Sequence, residues 1–162
     1  MEQKNKFKII ISPYSRQLRS LGKENPKNYP FWNDVVSGLK LNGVYIYQIG
    51  VQGEKKIEGV DEFLVNKSLK DLEVLVKECD TWISVDNFFQ HLCYLIDKPG
   101  IVLFGPSDPL IFGHKENINL LKDRKFLRKF QFASWEDISK NDDVFVFPDE
   151  VINTILRRIS NG

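Results

Sequence analysis

"SLKDLEVLVKECDTWISVDNFFQHLCYLIDKPGIVLF", residues 68–104, is the stretch whose reading decides the fold. Ser68 is placed to cap a helix, with Asp71 where a capping box puts its acid. Leu69, Leu72, Leu75, Val76 and Cys79 then recur at helical spacing and predict its buried stripe. "TWISV" reads as a strand, "FFQHLCYLI" as a helix and "GIVLF" as a second strand. Short apolar strands separated by helices predict a parallel sheet covered on both faces.

The same alternation extends outward. Residues 7–11, "FKIII", predict a buried strand that ends at the turn "SPYS". The polar segment at 16–30, with Gly22, Pro26 and Pro30, reads as a loop. "FWNDVVSGLKLNG" places Phe31, Val35 and Leu39 on one helical face beside Trp32 and Val36, and Asn42-Gly43 closes it. "VYIYQIG" predicts another strand, and a very short one is expected near residues 57–60. Downstream, "VFVF" reads as a short strand. "PDEVINTILRRI" reads as a helix with acids in its first turn and bases in its last, turning Ile152, Ile155, Leu156 and Ile159 to the core. The expected fold is α/β: one Rossmann-like, doubly wound parallel sheet with helices on both faces, a single domain over residues 1–162.

Composition narrows the function. The chain has 162 residues, 42% of them apolar, which is enough for one ordinary domain core. A net charge of +1 argues against a dedicated nucleic-acid binder. No apolar run reaches membrane-spanning length and the first residues lack a signal-peptide core, so a cytoplasmic protein is expected. Cys79 and Cys93 sit in apolar segments without metal-ligand spacing, so two buried thiols are expected and no metal site. The run "KDRKFLRK" at 122–129 is basic, but a solvated surface is the commoner meaning of such a run.

Ligands of open parallel sheets bind beyond the carboxyl ends of the strands. That rule selects four loops, which carry Ser12, Tyr14 and Ser15; Glu54; Asp86, Asn87 and Phe88; and Ser107. The first turn of the helix after Val85 offers backbone N–H groups and a dipole that favour an anion, with His91 close by as a further donor. A plainer reading stands beside it: Asp86 and Asn87 as capping residues, His91 as a partly buried histidine with structural partners. Neither GxGxxG nor GxxxxGK[ST] is present.

Residues 68–109 resemble the C-terminal half of glycosyltransferase family 9, the ADP-heptose:lipopolysaccharide heptosyltransferases. Asp86 and His91 hold the two ends of that family's D-[ST]-G-x-x-H motif, and Lys98-Pro99 followed by "FGPSDP" (104–109) matches its second motif. Upstream, "KNYPFWNDVVSGL" is similar to its K-x-W-P and following helix, with Lys27 as the basic residue, and "GVQGEKK" to its glycine-rich turn with Glu54 as the acid. The resemblance implies a GT-B donor domain. Asp86, Asn87 and Phe88 would present backbone amides to a diphosphate, with His91 nearby. Lys27 would reach phosphate or ribose, Glu54 the ribose hydroxyls, and Ser12, Ser15 and Ser107 would add donors. The chain departs from the motif at Asn87 and Phe88, where the family has small residues, and at Tyr14, where it usually has glycine. A glycine lets phosphate approach the backbone, whereas a ring stacks on a base or fills a sugar pocket.

The resemblance leaves the family's acceptor half, with its catalytic acid, uncovered. The expectation is therefore binding of an ADP-type nucleotide or nucleotide-sugar without transfer, as in sequestering or sensing an ADP-ribose-like molecule. No catalytic residue and no cofactor is expected. The alternatives are the donor half of a split glycosyltransferase with a separate acceptor-domain chain, and an interaction domain with a lapsed pocket. The expected partners are the small molecule and either a second copy of the chain or that acceptor domain, with no nucleic acid and no membrane span.

Overall fold

The computed structural model of the chain describes residues 5–18 and 23–161; the part of the predicted loop at 19–22, Gly22 included, lies outside them. In chain order the elements are β1 (Lys8–Ser12), α1 (Trp32–Leu41), β2 (Tyr45–Gly50), β3 (Glu62–Val65), α2 (Leu69–Glu78) and β4 (Thr81–Val85). There follow α3 (Phe88–Leu95), β5 (Ile101–Phe104), α4 (Pro109–Phe112), β6 (Ile118–Leu121) and α5 (Pro148–Asn161). The six strands form one sheet in the order β3-β2-β1-β4-β5-β6, and every pairing is parallel.

Strand residues alternate between two apolar layers, as the two-residue period requires. On one face Ile9, Ile11, Ile46, Ile83, Val85, Ile101 and Leu103 pack with Val35, Val36 and Leu39 of α1 and Val151 and Ile155 of α5. On the other, Ile10, Ile49, Trp82, Val102 and Phe104 pack with Leu72 and Val76 of α2 and Phe89 and Cys93 of α3. Helices thus cover both faces, as expected. The Lys98-Pro99 motif has a structural use here. Lys98 Nζ donates to Cys79 O at the C-terminus of α2 (2.7 Å), where a cation also suits the helix dipole, and Lys98 O accepts from the Trp82 indole (2.8 Å).

The structure corrects the predicted elements at the sheet edges. Residues 57–60 form a turn, not a strand; Ile57 and Val60 are buried in the core without entering the ladder. The real edge strands, β3 and β6, went unrecognised because each is only half-buried and lacks a fully apolar run. "VFVF" is likewise no strand. Residues 142–144 make a 3₁₀ turn, and Phe145 and Val146 are buried without pairing to any strand. Side chains meet part of the segment's backbone demand instead: Tyr29 Oη donates to Val146 O (2.9 Å) and Lys122 Nζ to Asp143 O (2.9 Å). In α5 the buried face is Val151, Thr154 and Ile155, rotated from the expected one; Ile152 and Ile159 are only partly buried.

Candidate ligand site at the switch point

Connections run from β1 toward β2 and from β4 toward β5, so the chain diverges at the β1–β4 pair. The register there aligns Ser12 with Ser84, and the loops 13–15 and 86–88 emerge side by side. Asn87 binds them together. Its Nδ2 donates to Ser12 Oγ (2.9 Å) and Tyr14 O (3.1 Å), while its Oδ1 accepts from Phe89 N (3.0 Å) and caps α3. Ser15 Oγ donates to Asp86 O (2.8 Å), and Ser15 N donates to Asn28 Oδ1 (2.7 Å). The two serines differ chemically. Ser12 accepts from Asn87 and its own proton has no acceptor among the described residues, whereas Ser15 has given its proton to the loop.

Above these loops lies a cleft of about 980 Å³. It brings together seven of the expected residues: Ser12, Tyr14, Ser15, Lys27, Glu54, Asn87 and Phe88. Lys27 Nζ stands 3.7 Å from Asp86 Oδ2, and Asp86 Oδ1 accepts from Gln90 Nε2 (2.7 Å). Asp86 is buried and does not line the cleft; it anchors the ammonium that does. Glu54 closes the turn after β2 by accepting from Val51 N through Oε1 (2.7 Å), and burial raises its carboxyl pKa against that hydrogen bond. Its second oxygen has no partner among the described residues. Tyr14 Oη donates to Lys55 O (2.9 Å); burial, then the charge of Glu54, raises its pKa. Phe88 stands in the cleft wall, 54% exposed and edge-on to Phe89.

Two expected residues lie elsewhere. His91 faces outward from α3, its Nδ1 2.8 Å from His114 Nε2, and His114 stacks on Tyr94. Partial desolvation, then His114, hold its pKa below the ordinary histidine value, although Asp86 pulls it up. Ser107 is buried beyond β5 and does not reach the cleft lining. Its neighbour Asp108 explains the "FGPSDP" turn. Asp108 caps α4 through Leu110 N (2.9 Å) and takes both arms of Arg124 (3.0 and 2.8 Å), which hold its carboxyl below the usual range.

The cleft also gathers Arg16, from the strand-end loop after β1, and residues that the sequence did not single out: Gln17, Asn25, Asn28, Asn66 and Lys67. Asn66 carried a usable signal, since asparagine tolerates the left-handed backbone (φ 55°) that ends β3. Gln17 and Asn25 carried none, lying in a polar loop whose path only the tertiary structure sets.

No protein-family model matches the chain. In sequence, 116 residues are 28% identical to lipopolysaccharide heptosyltransferase 1 of Campylobacter coli, covering 72% of this chain and 30% of the relative. In structure, the chain resembles the glycosyl transferase family 9 protein of Veillonella parvula (TM-score 0.67, 14% identity), over 99% of this chain and 48% of that one. It also resembles the E. coli heptosyltransferase WaaC, solved with ADP (TM-score 0.62, 17% identity), over 94% of this chain and 44% of that one. The chain spans less than a third of the curated relative and about half the length of these solved enzymes. By sequence and by fold, then, it is homologous to part of the heptosyltransferases of glycosyltransferase family 9.

Proposed function

We propose that the chain binds an ADP-type nucleotide or nucleotide-sugar in the switch-point cleft and holds it without transferring the sugar by itself. The observation that carries this reading is the junction of β1 and β4. There Asn87 locks two loops beside the start of α3, and Lys27, 3.7 Å from Asp86, lines the same cleft as Asn87 and Phe88, where a helix N-terminus favours a diphosphate. Ser12 adds a free hydroxyl proton, and Glu54 offers an oxygen toward ribose on the β2 side. That the homologous WaaC was solved with ADP supports the choice of nucleotide.

Holding rather than transfer is favoured by how the acids and bases are engaged. Of the carboxylates lining the cleft, Glu24 is paired with Lys140 (2.7 Å), and Glu54, which accepts from Val51 N, keeps its other oxygen at the end assigned to ribose. Neither histidine lines the cleft. General-base chemistry needs such a group within reach of the acceptor's proton. The second reading, the donor half of a transferase completed by an acceptor-domain chain, draws on the partial coverage of the solved relatives.

Calorimetry with ADP, ADP-ribose, ADP-sugars and UDP-sugars tests the reading. Binding of the ADP series is expected, and Lys27→Ala should weaken it about tenfold, the scale of one charge-assisted contact. Silence across the panel would leave only the lapsed-pocket interpretation. Ligand recovered intact supports holding; release of free ADP once an acceptor chain is supplied supports the split transferase.

A further inference from the structure

A second hollow of about 560 Å³ opens next to the main cleft, and the two share Arg16, Gln17, Asn25 and Lys27 as walls. Its far wall is Trp135, in a short 3₁₀ turn (Trp135–Asp137) capped by Ser134. That indole is held in place. The Arg128 guanidinium lies 3.5 Å from its ring centre and donates to Gln131 O, Ala133 O and Ser134 O (2.8, 2.5 and 3.1 Å). Lys27 Nζ is 5.3 Å from the same ring, so one lysine joins the diphosphate position to the indole. The turn is tied to the facing loop by Lys23, which donates to Glu136 O, and by the Lys140–Glu24 pair.

Resting on the reading above, we propose that Trp135 forms a second subsite, which takes a neutral sugar ring carried beyond the diphosphate. Direction follows from the ends of the site. In a parallel dinucleotide-type sheet the acid beyond β2 meets ribose, which puts the nucleoside at the Glu54 end. Lys27 then marks the diphosphate, and the hollow at Trp135 adjoins it through that shared lysine. A sugar ring has an apolar C–H face and a hydroxyl edge. The indole supplies a rigid apolar surface for the first. Arg16 and Gln17, whose side chains have no partner among the described residues, supply donors and an acceptor for the second.

Trp32 and Trp82 are buried at 4% and 1% exposure and Trp32 donates to Pro13 O in the site loop, so the part of a ligand-dependent emission change that disappears in Trp135→Phe reports on Trp135. With wild-type protein, ADP-glucose or ADP-ribose should bind at least about tenfold tighter than ADP and shift the emission, whereas ADP alone should leave it nearly unchanged. Trp135→Ala should erase that preference while keeping ADP affinity within about twofold, and Trp135→Phe, which keeps a ring, should retain most of it. Equal affinity for ADP and the ADP-sugars in wild type would overturn the subsite and spare the nucleotide site. So would a Trp135→Ala variant that weakens ADP and ADP-sugars alike, since that is the mark of a purely structural role. If wild type binds none of these ligands, both the subsite and the parent reading fail.

Discussion

Asn87 commits its whole side chain to holding two loops and a helix start in one geometry. Removing it strips the acceptor from Phe89 N and leaves the carbonyl of Tyr14 without that donor. Asn87→Ala should therefore cost about 2–3 kcal/mol in a denaturant titration, combining a lost cap with lost part-buried hydrogen bonds. Asn87→Asp should recover the cap, and Ser12 can turn its proton to the carboxylate, but the Tyr14 carbonyl is left without a donor; its loss should lie between wild type and alanine. At Phe88, where the related motif has a small residue, the ring neither plugs the cleft nor joins the core. It forms a wall, half open to whatever the cleft holds.

Among the elements, α2 shows how far local rules reach. Ser68 Oγ accepts from Asp71 N (3.1 Å), the cap that its sequence position predicts. Ser68→Ala should lower stability by about 1 kcal/mol, and Ser68→Asp should restore most of it, as read from shifts in thermal midpoint. Leu72, Val76 and Cys79 are buried as the spacing requires, but Leu69, at the first residue of α2, is 63% exposed. In α5 the helix was legible and its orientation was not. Thr154 reaches the core by donating its hydroxyl to Glu150 O (2.7 Å), which satisfies the polar group that would otherwise argue against burial. The basic run at 122–129 resolves similarly: Arg124 serves Asp108 and Arg128 serves Trp135 and its neighbouring carbonyls.

Taken whole, the molecule hides both of its thiols on the α2–α3 face of the sheet. Burial pushes the Cys79 thiol up to about 11 and the Cys93 thiol higher still. Neither should react with iodoacetamide in native protein at mildly alkaline pH, and both should react once denatured, as counted by intact mass. Native labelling of Cys93 would show that the α3 packing opens readily.

The four central strands were legible because a strand inside a covered parallel sheet is largely apolar, and that demand is written in consecutive residues even where Gln48 or Ser84 interrupts it. The helices between them were legible because one face must stay apolar at a fixed period. Edge strands obey neither demand, so β3, β6 and the unpaired "VFVF" could be told apart only by which backbone finds a neighbour. The site divides in the same way. Ser12, Asn87 and Glu54 follow from the rule that ligands meet strand ends. Asp86 as an anchor, His91 turned toward His114, and Lys27 beside Trp135 depend on long-range packing, since contacts between distant segments leave no local pattern. By itself, the sequence determined a doubly wound parallel sheet and the loops that bear its chemistry. Only the tertiary structure decided which side chains line the cleft and which hold the scaffold, because that depends on the hydrogen-bond partners each one meets after the chain has folded.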